Sequence, residues 1–175
     1  MIVWIIGLSG SGKSTLAHLV SKEVRLQGKK IVLLDGDEVR NLFGNDLGHD
    51  IKSREIAVER ISRLCLFLDK QEIDVICSTV LHFPKWSDWC RNNLSNYFEV
   101  FIDAPLSQVM DRDIKGIYRQ YENGEIDNVA GLDLPFSRPL SDLTIINDGT
   151  KKAFLMKAEP IIHRICNSAD RNPNV

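Results

Sequence analysis

Chemistry first shows in this chain at GLSGSGKST, Gly7 to Thr15, which follows the apolar run IVWII. Gly7, Gly12, Lys13 and Ser14 complete the pattern G-x-x-x-x-G-K-[ST]. Glycines at these places, with Gly10 adding freedom, let backbone N–H groups converge on phosphate oxygens, and a helix starting there adds partial positive charge. In such a loop Lys13 reaches the β- and γ-phosphates and Ser14 ligates Mg²⁺. Ser9, Ser11 and Thr15 complete the candidate nucleotide-binding set, and the expected donor is ATP with Mg²⁺.

A second group lies in LLDGDEVR. Asp35 and Asp37 follow an apolar run, where ligands bind beyond the carboxyl ends of strands in open α/β sheets. Two carboxylates beside a triphosphate have two jobs: orienting the metal or its waters, and accepting a proton from an acceptor hydroxyl. Arg40 stands three residues after Asp37, on the same helix face, suited to an anionic substrate. A GTPase needs an N-K-x-D base reader late in the chain, which IINDGTKKAF does not supply. A motor-type ATPase needs a larger body. A small metabolite kinase fits these residues better.

These groups must be positioned by alternating strands and helices. IVWII, KIVLLDGD, DVICST, FEVFID and DLTIIND read as five strands. Leu16, Leu19, Val20 and Val24 recur at helical spacing, and Gly28 stops that helix. IKSREIAVERISRLCLFLDK reads as a long helix, PKWSDWCRNNL as a short one begun by Pro84, and PLSQVMDRD as another beginning at Pro105. KKAFLMKAEPIIHRIC reads as one terminal helix kinked at Pro160, with NSADRNPNV as a frayed tail. The segment of about residues 112–139 is rich in charge, Gly and Pro and weak in periodicity, which suggests a lid. The expected fold is α/β: one domain over residues 1–175, a five-stranded parallel sheet with helices on both faces and a lid.

Bulk properties agree with a single globular enzyme. The 175 residues are 43% hydrophobic and 26% charged. A net charge of −2 gives no global basic field for nucleic acid or an acidic membrane. No apolar run approaches the roughly 20 residues that span a bilayer, and MIVWII reads as a core strand rather than a leader. Cys65, Cys77, Cys90 and Cys166 lack CxxC spacing, and the expectation is reduced thiols in a cytoplasmic protein.

From Ile2 to Asn147 the chain resembles the adenylylsulfate (APS) kinases, on GLSGSGKST, LLDGDEVR, NDLGHD, EVFIDAPL and RDIKGIYR in that order. The resemblance implies a P-loop nucleotide kinase fold, commonly a homodimer. It implies transfer of the γ-phosphoryl of MgATP to the ribose 3′-hydroxyl of adenylylsulfate. It assigns Asp37, with Asp35, as base or metal-orienting group, and Arg40 and Arg54 to the nucleotide substrate. Arg112, Lys115 and Gly116 match its R-D-P-K-G-L-Y lid motif, with Ile114 in place of proline.

Departures from the family pattern cluster on the acceptor side. His49 stands for a phenylalanine, Ala57 for an asparagine, and Val129 for a second phenylalanine; in the family the two rings sandwich adenine. TVLHFPKW replaces F-I-S-P-x-R, so that Leu81 or Phe83 stands for its serine and Trp86 for its arginine. His49, His82, Phe83 and Trp86 are therefore candidate contacts to a different base, while Trp86 and Trp89 also suit plain helix packing. Two acceptors stay open: adenylylsulfate, the family default, and cytidine diphosphoramidate, used by a capsule-biosynthesis kinase that resembles this family. A non-catalytic nucleotide-binding module is a remote third reading.

Overall fold

The computed structural model of the chain describes residues 1–168; the tail expected to fray lies outside the described residues from 169 onward. Five parallel strands form one sheet: β1 (Ile2–Ile6), β2 (Ile31–Asp35), β3 (Asp74–Thr79), β4 (Tyr97–Asp103) and β5 (Leu143–Ile146). Their order is β2-β3-β1-β4-β5. Every residue of β1 is buried, which is why it reads as unbroken apolar sequence rather than alternation.

Among the described residues eight helices surround the sheet: α1 (Lys13–Leu26), α2 (Gly36–Leu42), α3 (Ile51–Lys70), α4 (Pro84–Asn93), α5 (Leu106–Arg112), α6 (Ile117–Glu122), α7 (Lys151–Met156) and α8 (Glu159–Cys166). Alternation along β1 divides the core. Val3 and Ile5 pack with Leu16 and Val20 of α1 and Ile161 and Ile165 of α8. Ile2, Trp4 and Ile6 pack on the other face with Val58 and Ile61 of α3 and Trp86 and Cys90 of α4. Truncating one of these isoleucines to alanine costs about 2–5 kcal/mol. Cys65, Cys77 and Cys90 are buried free thiols. No described helix is long and apolar enough to cross a membrane.

One expectation needs correction. The terminal helix is not one kinked rod. It closes after Met156, where Lys157 and Ala158 donate to Phe154 and Leu155, and restarts as α8. Pro160 lies in the first turn of α8, where its missing N–H costs nothing. The segment around 112–139, expected as a lid, carries a helix and buried apolar residues of its own. Asp113 accepts the backbone N–H groups of Tyr118 and Arg119, starting α6. Tyr118, Val129, Ala130 and Leu134 are buried against Leu8 and Val109.

Candidate active site

The phosphate loop joins the end of β1 to α1. Gly10 and Gly12 have φ of 75° and 102°, the left-handed region that favours glycine. The first N–H groups of α1 have no intrahelical partner and face the loop. Three distant residues hold this shape. Asn147, just after β5, donates from Nδ2 to the Ser11 carbonyl at 2.8 Å. Tyr118 of α6 donates its hydroxyl to the Ser9 carbonyl at 3.0 Å. The Phe154 ring of α7 lies so close to Gly12 that a Cβ there would come within 2.8 Å of it. Sequence reading missed all three, since nothing local marks a residue whose partner is more than 100 positions away.

Lys13 is buried and curls back to donate to the Leu8 carbonyl at 2.7 Å. Burial, and then the nearby Lys115, bring its pKa down to about 7, against the pull of Asp35 and Asp37. Asp35, last residue of β2, caps α2 by accepting the Asp37 N–H at 3.0 Å. Its other oxygen accepts the hydroxyls of Ser14 at 2.6 Å and Ser78 at 3.0 Å. Burial raises the Asp35 pKa, but these hydrogen bonds outweigh it and hold the carboxyl below its ordinary value. Asp37, in the first turn of α2, is ion-paired with Lys115 at the start of the lid. Ser14 and Asp35 thus join two hard oxygen donors at the N-terminus of a helix, a set that fits Mg²⁺ bound chiefly through substrate phosphates.

A cleft of about 270 Å³ extends from this loop to α3 and the lid. Its far part is walled by Ala57, Val58, Ile61, Leu81, Ile117 and Val129. No Phe, Tyr or Trp is among its lining residues. Arg40 and Arg54 stand at the mouth and brace it. Arg40 Nη1 donates to the carbonyls of Leu47 and Gly48 at 3.1 and 3.0 Å. Arg54 donates to the carbonyls of His49 at 2.6 Å and Asn128 at 2.9 Å, tying the loop before α3 to the lid. His49 also lines the cleft; partial burial, with Arg40 and Arg54 nearby, lowers its pKa, so the ring is neutral at pH 7.

Not every candidate is brought here. His82 and Phe83 do not line the cleft. The chain turns away at Pro84, the first residue of α4, and carries His82 to the sheet face over β4, with Nε2 3.7 Å from Glu99 Oε1. Phe83 packs between the α3–α4 core and the lid cluster. Trp86 is buried edge-on to Trp89 at 5.8 Å, which is helix packing. Arg112 is in the last turn of α5, bonded to Gln108 at 2.9 Å, and does not line the cleft. Gly116 caps α6 and directs Lys115 inward without forming wall itself. Gly7 and Ser11 sit beneath the loop: a Cβ on Gly7 would meet the Ile102 carbonyl at 2.8 Å, and Ser11 is fully buried.

Known proteins resemble this chain over most of its length. The adenylylsulphate kinase family matches residues 1–146. The cytidine diphosphoramidate kinase of Campylobacter jejuni is 36% identical over 165 residues, covering 94% of this chain and 95% of its own. An adenylyl-sulfate kinase of Deinococcus deserti is 36% identical over 158 residues, covering 86% and 87%. The Mycobacterium tuberculosis APS kinase, solved in complex with AMPPNP and APS, superposes with a TM-score of 0.85 at 31% identity, covering 94% and 96%. With its parallel sheet, phosphate loop and lid, this chain belongs to the adenylylsulphate kinase family of P-loop kinases.

Proposed function

We propose that the protein transfers the γ-phosphoryl of MgATP to the ribose 3′-hydroxyl of a pyrimidine nucleotide anhydride, with cytidine diphosphoramidate as acceptor. The observation that carries the acceptor choice is the lack of any Phe, Tyr or Trp side chain lining the cleft, with His49 the one ring there. Base–aromatic stacking is worth about 1–3 kcal/mol per base in nucleic-acid binders. A wall of Ala57, Val129 and Leu81 forgoes that grip and suits a base read by shape and a few hydrogen bonds. The Campylobacter kinase, similar over nearly its whole length, supports the same acceptor. Adenylylsulfate is the second reading, favoured by the close superposition on a kinase that holds APS.

In this mechanism the loop amides and Lys13 bind the donor phosphates. The acceptor oxygen attacks the γ-phosphorus, the bond from that phosphorus to the β–γ bridging oxygen breaks, and ADP leaves. Asp37 takes the hydroxyl proton, and Lys115, released from Asp37, moves to the charge on the transferring group. Ser14 and Asp35 would hold Mg²⁺, which would supply charge to neutralise the donor phosphates. Arg40, Arg54 and His49 hold the acceptor, and the lid excludes water. The working form is a single-domain subunit of a homodimer in the cytoplasm, consistent with ATP as donor and unpaired thiols.

The deciding experiment is a phosphoryl-transfer assay with both acceptors. The expected result is a kcat/KM for cytidine diphosphoramidate at least ten times that for APS. The reverse ratio overturns the acceptor and leaves the chemistry standing.

A further inference from the structure

The end of β3 carries two adjacent hydroxyls, Ser78 and Thr79, and strand alternation sends them to opposite sides. Ser78 faces α1 and is committed, donating to Asp35. Thr79 has the parity of Val75 and Cys77, which pack under α3. It pairs with Ile6 in register and lines the cleft beside Val58 and Ile61.

The hydrogen bonding of Thr79 is half determined. Its Oγ1 is 2.9 Å from Trp4 Nε1, and both residues are buried. An indole N–H only donates, so Thr79 must accept here. The bond fixes the hydroxyl's position and leaves its own proton uncommitted: among the described residues Thr79 Oγ1 has no other hydrogen-bond partner. Val58, Ile61, Val80 and Leu81, which line the same cleft, are aliphatic. Arg40 and Arg54 stand at the mouth, and each is partly engaged with backbone carbonyls there. A buried hydroxyl proton with no side-chain acceptor beside it gains a hydrogen bond from what enters the cleft.

The geometry points to Thr79 as a specificity residue that donates its hydroxyl proton to the base of the acceptor nucleotide. The complementary group is a keto oxygen, such as the one a pyrimidine carries beside its glycosidic bond. Trp4 acts as a positioning residue, reaching the substrate only through Thr79. This assignment rests on the reading of the cleft as the acceptor site.

The test is steady-state kinetics with cytidine diphosphoramidate and with APS on Thr79→Val, Thr79→Ser, Trp4→Phe and Trp4→Phe/Thr79→Val. Thr79→Val is expected to raise the acceptor KM about 5- to 10-fold, the size of one neutral hydrogen bond, with the ATP KM and kcat within about twofold. Thr79→Ser is expected to restore the acceptor KM. Thr79→Val also orphans the Trp4 N–H, which the double variant removes. If Thr79 touches substrate, the 5- to 10-fold rise persists when the double variant is compared with Trp4→Phe. An acceptor KM unchanged in Thr79→Val, or a rise that vanishes in the Trp4→Phe background, overturns the assignment alone. Failure of the wild type to phosphorylate either nucleotide overturns the acceptor-site reading and this assignment with it.

Discussion

Lys115 of the lid and Asp37 of α2 are ion-paired across the mouth of the cleft. Both side chains are more than half exposed, at 51% and 62%, so the pair adds at most about 1 kcal/mol to stability. Its proposed weight falls on catalysis instead. Asp37→Ala removes the proposed proton acceptor and is expected to lower kcat by about 10²–10⁴. Lys115→Met removes a cation from the reacting phosphoryl and is expected to cost about 10²–10³. Both variants should bind ATP and melt much like the wild type; loss of ATP binding by Asp37→Ala would move Asp37 out of its proposed role.

Lys13 gives the site a pH signature. With burial and Lys115 holding its pKa at about 7, the ammonium is largely neutral at pH 8 in the free protein. Bound triphosphate favours the charged form and raises the pKa, so binding takes up a proton. ATP affinity is therefore expected to fall as pH rises above 7. Calorimetry at pH 8 in buffers of different ionisation enthalpy should register this uptake, and Lys13→Met should abolish it. No uptake by the wild type contradicts the depressed lysine.

Asp35 titrates in the opposite sense. Its folded pKa lies below the unfolded value, so its contribution to stability is complete above the unfolded value and is lost as pH falls through the folded one. Asp35→Asn should flatten that acid limb of the stability curve. The same change weakens the oxygen set beside Ser14. It is expected to raise the Mg²⁺ concentration for half-maximal rate by about 10- to 100-fold, judged by outer-shell substitutions at metal sites.

Much of this site is legible in sequence because its parts are local. Lys13 and Ser14 follow a strand and open a helix, and Asp35 to Arg40 span a strand end and one helical turn. What is not legible comes from pairing across the fold. Tyr118 braces Ser9 and Asn147 braces Ser11 over 109 and 136 positions. Residues 112–139 look like a loop because their apolar residues are sparse, yet Tyr118, Val129 and Leu134 are buried by contact with Leu8 and Val109, which no local pattern announces. His82 and Phe83 invite assignment to the substrate because they replace family residues. Alignment gives a position along the chain but not the side of the sheet, and Glu99 on β4 settles His82's side.

The placement of His82 is testable by its silence. His82→Ala is expected to leave kcat and both KM values within about twofold, because the ring faces Glu99 rather than the cleft. Glu99 is buried and accepts the hydroxyls of Ser87 and Tyr97, each at 2.7 Å. Glu99→Ala strands both donors and is expected to destabilise the fold by about 1–3 kcal/mol without altering the acceptor KM. A tenfold rise in the acceptor KM for His82→Ala would return that ring to the substrate.

Rebuilding the aromatic sandwich tests the acceptor itself. Val129 lines the cleft with its backbone N–H held by Asp133 Oδ1 at 2.6 Å, so the position is anchored from the lid side. His49 lines the same cleft from the loop before α3. Phenylalanine at both positions would give an adenine two faces to stack on, at about 1–3 kcal/mol each. A pyrimidine has less ring to offer and loses the hydrogen-bonding capacity of His49. His49→Phe/Val129→Phe is therefore expected to shift the ratio of kcat/KM for APS over cytidine diphosphoramidate toward APS by at least about tenfold. The change should lie in the acceptor KM, with the ATP KM constant, since the phosphate loop is untouched. A ratio that does not move would mean that these two positions do not choose the base.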